Sequence, residues 1–534
     1  MKLNDMKYSS RLTKKNQVKF GGLNHSFAAT DGELYDMQNL CSDFSPVLAT
    51  RPKRYLIRKL EQPGGLYAWE KLCWVDGSGF YYDGKLCGEV SAGQKMFASL
   101  GSKIIIFPDK CFYDVELESF GRLESRWEGA SLTFTDGVYQ GEAAEANTIV
   151  ANDVNWADYF NPGDCVIISG CTTHPENNKS AVIEEVDANR LSFAENIFTV
   201  DDDGYEEKGE LSISRTVPDM DFLWENENRL WGCKGDDVFC SKLGDAFNWN
   251  VYDGLADNSW WVDTGSPGDF TGCIAFRGYM TYFKENRIFK VYGNLPSNYQ
   301  LMGSATMGLA KGSSRSLAIA GETLFYLSTN GVVAYSGGIP QPIGEAFGVE
   351  RFQNAVAGSD GLKYYVSMQG EDGRYRLYVY DTQRYRWHVE DETRVTNFAL
   401  KDGILYMLNE KGEIWTTGYV PVPPEGAIPE NEMQWMAEFA DFTEGDPNKK
   451  GVVKLQLRLE LEEGASAQVF IQFDSDGRWR PVGQSMGEAV KRSYYLPITP
   501  RRCDHYRLKI TGTGVCRIHS LTRESYSGSE LRSY

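Results

Sequence analysis

The fold class is decided by the stretch CIAFRGYMTYFKENRIFKVY, residues 273–292. It contains three runs of aromatic and β-branched residues, Cys273–Phe276, Tyr279–Phe283 and Arg287–Tyr292. Arg277-Gly278 separates the first two runs, and a short charged turn separates the last two. Short apolar runs between such turns are typical of antiparallel strands. The stretch therefore predicts a meander of three strands.

Six other stretches repeat this pattern of strand, glycine turn and strand. The seven units are Leu72–Tyr82, Met96–Phe107, Asp221–Cys240, Cys273–Tyr292, Ser316–Tyr335, Lys363–Tyr380 and Phe398–Trp415. From the third unit onward they begin about 40–50 residues apart, which is the period of four-stranded propeller blades. A single blade exposes two apolar faces, so it is stable only when blades stack. The sequence predicts a β-propeller of about seven blades, within a range of about six to eight.

The composition agrees with an all-β chain. The 534 residues include 54 Gly but only 19 Pro, and aromatic residues make up 13%, so glycine turns and aromatic strands are both plentiful. Long helical patterns are almost absent. Apolar residues at 42% and charged residues at 24% are typical of a globular chain. We therefore expect an all-β protein with its own hydrophobic cores.

A gap of about a hundred residues interrupts the repeat after the second unit. Inside it, the tight turn Pro162-Gly163-Asp164 precedes a strand at Val166–Ser169, and short strands with polar punctuation follow. We predict a small inserted β-barrel at residues 125–215. It divides the propeller into a first part, residues 61–124, and a second part, residues 216–420.

Beyond the propeller, the pattern changes to strict alternation. Residues 421–429 have the composition of a linker, and Lys454–Leu461 and Tyr506–Ile510 alternate apolar and polar side chains. Period two is typical of half-buried strands, so residues 430–523 predict a β-sandwich. The remaining segments are assigned to an N-terminal arm with the first propeller strands, 1–60, and to a C-terminal tail, 524–534.

Charge is unevenly distributed along the chain. The formal net charge is −19, yet residues 1–60 hold 11 Lys and Arg against 5 Asp and Glu. A basic N-terminal segment on an acidic body suggests an arm that docks on an acidic partner protein, although lysines there could simply aid solubility. The candidate docking residues are Lys7, Arg11, Lys14, Lys15 and Lys19. The acidic body argues against a protein that wraps nucleic acid.

Catalytic and cofactor motifs are missing from the sequence: it has no nucleophile elbow, phosphate loop or His-Glu-x-x-His motif. Four residues resemble a zinc set, Cys503, His505, Cys516 and His519, but alternation places Cys516 and His519 on opposite strand faces. The segment Asp474–Trp479 is interpreted as a hairpin turn rather than a calcium loop. We assign no catalytic residue, metal or cofactor and expect no enzyme, with glycoside hydrolysis by paired carboxylates as the enzymatic alternative.

The cysteine content and the N-terminal residues bear on where in the cell the protein is found. The 11 cysteines are odd in number and lack the spacing of a disulfide framework, which favours a reducing cytosolic origin. Met1–Asp5 is not followed by the apolar run of a secretory leader, and no stretch approaches 18 consecutive apolar residues. We therefore expect no secretion signal and no membrane span.

Three regions carry a family resemblance. The quoted residues are Phe20–Asn24, Gly32–Leu40, Asp43–Leu48 and Arg51–Arg54 in the first region, Arg229–Gly232 and Ser241–Trp249 in the second, and Tyr506–Gly514 and Ile518–Leu521 in the third. In this order they resemble the tail hub or nozzle proteins of short-tailed bacteriophages, also called stabilisation proteins. They cover about a fifth of the chain.

The resemblance implies a structural virion protein that assembles in the host bacterial cytoplasm. It implies a homo-oligomeric ring, usually hexameric, that extends the tail tube below the portal and adaptor and meets a fibre or needle protein. DNA would pass through the lumen during ejection without tight binding. The family has no active-site motif, so no catalytic residue is carried over. The alternative is an extracellular or host-surface carbohydrate-binding propeller, which should have a secretion signal.

Overall fold

The structure is a computed structural model that describes residues 12–26, 29–139, 142–194, 196–201, 204–252, 254–445, 448–486, 491–499 and 501–527. These residues form strands and five three-residue 3-10 helices, at Trp156–Asp158, Pro175–Asn177, Pro296–Asn298, Ser314–Ser316 and Glu345–Phe347, but no α-helix. The all-β prediction is confirmed. The chain divides into two compact units, residues 61–311 and residues 1–60 together with 312–534.

Five strands precede the first unit along the chain. They are β1 (Leu12–Gln17), β2 (Leu34–Gln38), β3 (Leu40–Cys41), β4 (Leu48–Thr50) and β5 (Tyr55–Lys59). All five belong to sheets that include strands from the C-terminal part of the chain: β1, β2, β4 and β5 pair with such strands directly, and β3 joins its sheet through β4.

The unit of residues 61–311 contains four antiparallel four-stranded sheets, each a simple meander. The first two are β6 (Pro63–Ala68), β7 (Leu72–Asp76), β8 (Gly79–Tyr82) and β9 (Lys85–Glu89), then β10 (Met96–Leu100), β11 (Lys103–Phe107), β12 (Cys111–Asp114) and β13 (Ser119–Arg122). This is the strand topology of propeller blades. Their facing apolar sides meet in one core, which includes Val75, Phe80, Ile104 and Tyr113.

A closed barrel follows in the chain. Its strands are β14 (Ser125–Tyr139), β15 (Glu142–Val150), β16 (Cys165–Ser169), β17 (Ser180–Val186), β18 (Arg190–Phe193) and β19 (Tyr205–Arg215), in the order β14-β15-β18-β17-β16-β19. Phe134, Trp156 and Ile183 fill its interior. Ser125 and Arg215 are paired, so the barrel begins and ends at one place. The predicted small barrel is confirmed.

Two more meanders complete this unit. They are β20 (Phe222–Asn226), β21 (Arg229–Lys234), β22 (Asp237–Cys240) and β23 (Trp260–Asp263), then β24 (Gly272–Phe276), β25 (Tyr279–Lys284), β26 (Arg287–Tyr292) and β27 (Gln300–Ala305). Between β24 and β25, Arg277 (φ 52°) and Gly278 (φ 80°) form the two-residue turn that suits strand twist. Leu100 and Ile105 pack with Leu230 in one core, so sheets β10–β13 and β20–β23 stack directly although the barrel interrupts the chain between them.

The other unit contains three further meanders. Their strands are β28 (Ala318–Ala320), β29 (Thr323–Ser328), β30 (Gly331–Tyr335) and β31 (Gln341–Pro342); β32 (Phe352–Ser359), β33 (Lys363–Gly370), β34 (Tyr375–Asp381) and β35 (Arg386–Val389); β36 (Val395–Lys401), β37 (Ile404–Asn409), β38 (Glu413–Thr417) and β39 (Ile428–Pro429). β5 lies between β38 and β39 in the last sheet. The predicted linker 421–429 therefore ends in a strand, because the unpaired edge of β5 accepts it.

The C-terminal strands form two sheets. They are β40 (Gln434–Phe439), β41 (Lys450–Leu461), β42 (Ser466–Phe473), β43 (Arg480–Met486), β44 (Arg492–Leu496), β45 (Arg502–Cys503), β46 (Tyr506–Thr513) and β47 (Cys516–Ser527). One sheet has the order β3-β4-β47-β41-β44, with β1 paired to β47 and β45 to β41; the other has the order β2-β40-β46-β42-β43.

The N-terminal segment differs from the expectation of an arm followed by propeller strands. β1 to β4 belong to the two C-terminal sheets, and β5 alone joins a meander. The C-terminal region also continues past residue 523, to Ser527 in β47, while residues 528–534 lie outside the described part. The reason is that Leu12 pairs with Tyr526 and Gln17 with Leu521, and such remote pairing leaves no local signal in the sequence.

Candidate functional site

Residues 20–54, the first region of the resemblance, join two parts of their unit, and we call them the connector. Within it, β2 pairs with β40 and β4 pairs with β47. Toward the sheet β32–β35, the Leu23 N–H donates to the Trp387 carbonyl at 2.8 Å, and the Asn39 N–H donates to the Glu390 carbonyl at 2.6 Å. The connector therefore holds the C-terminal sheets and a meander together through its backbone.

Arg51 is the buried centre of the connector. Its two terminal nitrogens donate to the two carboxylate oxygens of Glu430 at 2.7 and 2.9 Å, and its Nε donates to Asn39 Oδ1 at 2.7 Å. Asn39 has a left-handed backbone (φ 54°) and donates its amide to the Gln434 carbonyl at 2.7 Å. A planar guanidinium suits this two-point contact, which a lysine could not make.

Arg54 forms a second buried ion pair three residues later. One of its terminal nitrogens donates to Asp391 Oδ2 at 2.6 Å, and the other donates to Glu390. Burial opposes the charge on Arg54, but Asp391 and Glu390 raise its pKa. Burial likewise opposes the charge on Asp391, and Arg54 outweighs it, so the pKa of Asp391 falls to about 2. The buried arginines of the connector are thus compensated by carboxylates from later parts of the same unit.

A small cavity of about 10 Å³ lies beside these ion pairs, lined by Cys41, Asp43, Lys363 and His388. It has room for about one water molecule. Burial raises the pKa of Cys41 to about 12, and burial with the nearby charge of Lys363 lowers the pKa of His388 to about 3. A protonated thiol and a weakly basic imidazole are poor catalytic groups. The cluster is suited to holding the fold together.

The second region of the resemblance contains a comparable buried arginine. Among the described residues no carboxylate pairs with the guanidinium of Arg229, which donates to four backbone carbonyls of the loop that follows β22. These are Ser241 at 2.8 Å, Ala256 at 2.9 Å, Asp257 at 3.3 Å and Asn258 at 2.6 Å. Arg229 therefore sets the shape of this loop.

The loop held by Arg229 also joins its meander to the barrel. Asn248 accepts a hydrogen bond from the Cys165 N–H at 2.9 Å and donates to Asp164 at 3.2 Å. Asp164 is itself paired with Arg215, which lies at the end of the barrel. The first two resemblance regions thus supply buried joints between neighbouring elements.

Three of the five candidate docking residues lie in the described part, and Lys7 and Arg11 lie outside it. Lys14 and Lys15 are on β1, and their amino groups face acidic residues of this chain: Lys14 is 3.7 Å from Glu524, and Lys15 is 3.3 Å from Glu444. Lys19 follows the strand and is exposed. The structure therefore places β1 on the chain's own C-terminal sheet.

An open groove of about 690 Å³ lies beside the connector, and its described lining comes from residues 22–26 and 30–33, the loop 342–346, and Tyr380 with residues 385–387. We call it the Tyr385 groove. The Trp387 and Tyr380 rings, 4.9 Å apart, form part of its wall. Sequence reasoning missed this groove, because its sides are separated by more than 300 residues and no motif marks them.

The residues resembling a zinc set have separate partners. Cys503 donates to the Lys450 carbonyl at 3.6 Å, His505 Nε2 is 2.8 Å from Ser475 Oγ, and His519 Nε2 is 3.3 Å from Glu460. Within the described residues, no group of three His, Cys, Asp or Glu is placed to hold a metal ion. None of the helices in that same part of the chain is long and apolar enough to cross a membrane.

Comparisons with known proteins give distant likenesses. No family model and no curated protein matches the chain. Among solved structures, it is similar to BamB from Moraxella catarrhalis, with 11% identity over 70% of this chain and 99% of that one and a TM-score of 0.35. It is also similar to Raptor from Chaetomium thermophilum, with 11% identity over 70% and 29% and a TM-score of 0.31. A Trypanosoma rangeli sialidase shows 10% identity over 95% and 96%, with a TM-score of 0.20. TM-scores this low carry no argument about function.

Proposed function

We propose that this chain is a subunit of the tail hub or nozzle of a short-tailed bacteriophage. It assembles in the host bacterial cytoplasm into a homo-oligomeric ring of six copies, contacts other tail proteins and catalyses nothing. DNA passes through the ring during ejection. In this proposal the seven meanders are the blades of one propeller and the two C-terminal sheets form a sandwich.

The observation that carries the proposal is the role of the arginines in the resemblance regions. Arg51 and Arg54 are occupied by internal carboxylates, and Arg229 by backbone carbonyls. Shared residues that act as buried joints are what an architectural protein needs, so the resemblance and the contacts support the same function.

The charge distribution supports a protein through which DNA passes rather than one that binds DNA tightly. Residues 61–311 hold 19 Lys and Arg against 40 Asp and Glu, a net charge of −21, and the barrel segment 125–215 alone has 5 against 18. Each cationic contact with a phosphate would strengthen DNA binding and hinder its passage. Screening acts over about 8 Å at physiological salt, so an acidic wall would repel DNA only at short range.

Imaging of the purified full chain by negative-stain electron microscopy, with light scattering on the same sample, tests the ring. We expect rings with a central hole and a mass six times that of the chain. A monomer at every concentration and salt tested would overturn the proposal. A gel-shift assay with duplex DNA at physiological salt should detect no binding, and tight binding that weakens with salt would contradict the conduit.

A further inference from the structure

The Tyr385 groove has the dimensions of a ligand site. Its volume of about 690 Å³ falls within the range of about 300–1,000 Å³ that small-molecule sites occupy. All of its walls come from one compact unit: the connector, the loop before β32 and the turn between β34 and β35. None of the groups described above as joints of the fold needs this space.

An aromatic ring is displayed at the rim. Tyr385 is 80% exposed and has a left-handed backbone, φ 52°, which costs a bulky residue about 1–3 kcal/mol. The turn holds it there: Asp381 Oδ1 accepts the Gln383 and Arg384 N–H groups at 3.0 Å each, and the Tyr385 N–H donates to the Asp381 carbonyl at 2.8 Å. A strained backbone that holds an exposed aromatic residue in place points to a function for the side chain.

Two residues of the lining, Glu33 and Glu345, have carboxylates with free acceptor capacity. Glu33 uses Oε2 for Thr30 and Asn24, at 2.6–3.0 Å, and its Oε1 accepts no hydrogen bond within the described chain. Glu345, from the loop 342–346, is exposed, and its carboxylate likewise has no partner among the described residues. Arg386 is the one cation in the lining, and it donates to the Phe20 carbonyl at 2.7 Å. The groove is therefore net acidic and rich in acceptors.

Two backbone N–H groups at the groove are already used. The Leu23 N–H is bonded to the Trp387 carbonyl, and the His25 N–H is bonded to the Ala346 carbonyl at 2.7 Å. A peptide that added as an extra strand would need free backbone groups of this kind. The described lining offers side-chain acceptors and an exposed aromatic face, and these suit a ligand with many hydroxyl donors.

We propose that the Tyr385 groove binds a short neutral oligosaccharide. The apolar face of a sugar ring packs on Tyr385, and sugar hydroxyls donate to Glu33 and Glu345. Hydrogen bonds to carboxylates are about twice as strong as neutral ones, and an aromatic face gives the flat apolar contact. Sialylated or phosphorylated sugars are repelled by the two carboxylates. The proposal does not depend on ring assembly or on the phage assignment.

Saturation-transfer NMR on the full chain tests it, with maltotriose, chitotriose and xylotriose as neutral probes and 3′-sialyllactose as the anionic one. We expect at least one neutral probe to bind with a dissociation constant below about 10 mM and the anionic probe not to bind. Tyr385→Ala should weaken binding about tenfold, as the loss of an aromatic contact of about 1.4 kcal/mol implies. Glu345→Lys should also weaken it.

Tyr419→Ala is the matched control, because Tyr419 is 73% exposed and lines a different groove. It should bind the probe as the unmodified chain does, and all three variants should melt at the unmodified temperature. The proposal is overturned if none of the three neutral probes binds, if Tyr385→Ala binds unchanged, or if 3′-sialyllactose binds more tightly than the neutral sugars. Each of these outcomes can occur whether or not the chain forms rings. Failure of the sugar-binding proposal can therefore be distinguished from failure of the proposed function.

Discussion

The barrel and the C-terminal pair of sheets are both antiparallel, but they are assembled from the chain in different ways. The barrel uses one continuous stretch, and its ends close on each other where Ser125 pairs with Arg215. The C-terminal sheets combine residues 12–50 with 434–527, and Leu12 pairs with Tyr526. The difference teaches that a domain is visible in a sequence when its strands pair with neighbours in the chain, and is only partly visible when they do not.

The two regions are also held differently. The barrel has an aromatic interior, with Phe134, Trp156 and Phe193 buried, so its stability comes chiefly from apolar burial. The connector that ties the C-terminal sheets to a meander relies on the buried ion pairs of Arg51 and Arg54. Such pairs specify one arrangement, and breaking them leaves a buried charge. Substitutions of charged residues should therefore change the stability of the two regions by different amounts.

The largest effect is expected from Arg51→Ala. It leaves the carboxylate of Glu430 largely buried without its partner and should destabilise the chain by about 3–5 kcal/mol. The matched control is Arg126→Ala in the barrel, an arginine 63% exposed and paired with Glu128, which should cost about 0–1 kcal/mol. Urea unfolding followed by tryptophan fluorescence measures both. If the two variants lose the same free energy of unfolding, the buried ion pair of Arg51 contributes no more than the surface ion pair of Arg126.

Glu207→Gln should weaken the barrel by about 1.5–3 kcal/mol. The buried carboxylate of Glu207 accepts the N–H and hydroxyl groups of Thr172 and Thr173 at 3.0–3.1 Å. Burial raises the pKa of Glu207, and these hydrogen bonds outweigh it, so the pKa is lowered. The side-chain amide that replaces the carboxylate carries an NH₂ group, which would face the N–H and hydroxyl donors of Thr172 and Thr173. Hydrogen exchange of β19 should increase in the variant while the C-terminal sheets stay protected, and exchange throughout the chain would contradict this local effect.

Acid should loosen the connector by about 2 kcal/mol through Asp391. Its folded-state pKa of about 2 lies below the ordinary value of 3.8, so its contribution is complete above about pH 4 and is lost as the pH falls toward 2. Urea unfolding at pH 4.5 and pH 2.5 measures the loss. Asp391→Asn should reduce this dependence on pH. If the free energy of unfolding of this variant depends on pH as steeply as that of the unmodified chain, the acid sensitivity belongs to other carboxylates.

The smallest effect is expected from Lys14→Ala. Lys14 is 62% exposed and 3.7 Å from Glu524, so the substitution should change the free energy of unfolding by less than about 1 kcal/mol. Lys15→Ala should cost more, since its partner Glu444 is buried. If Lys14→Ala impairs particle assembly at unchanged stability, the lysine acts in docking. A large loss of stability would show that β1 depends on this surface pair.

The meanders and the barrel were within reach of sequence reasoning because their signals are local. Arg277-Gly278 and the apolar runs on each side of it specify a hairpin within eleven residues, 273–283. The Tyr385 groove was out of reach, since Glu33, Glu345 and Tyr385 are brought together from three distant places. The same holds for Glu430, which pairs with Arg51 across 379 positions.

The sequence by itself determined the all-β class, the repeated meanders, the position of the barrel and the excess of acid in residues 61–311. These properties follow from alternation, turn chemistry and composition, which operate over short distances in the chain. Only the tertiary structure decided that β1 to β4 belong to the C-terminal sheets, that the arginines of the connector are buried joints, and that a groove opens beside Tyr385. Those outcomes depend on which distant edges and charges meet, because an unpaired edge or a buried charge is satisfied by whatever partner the fold brings to it.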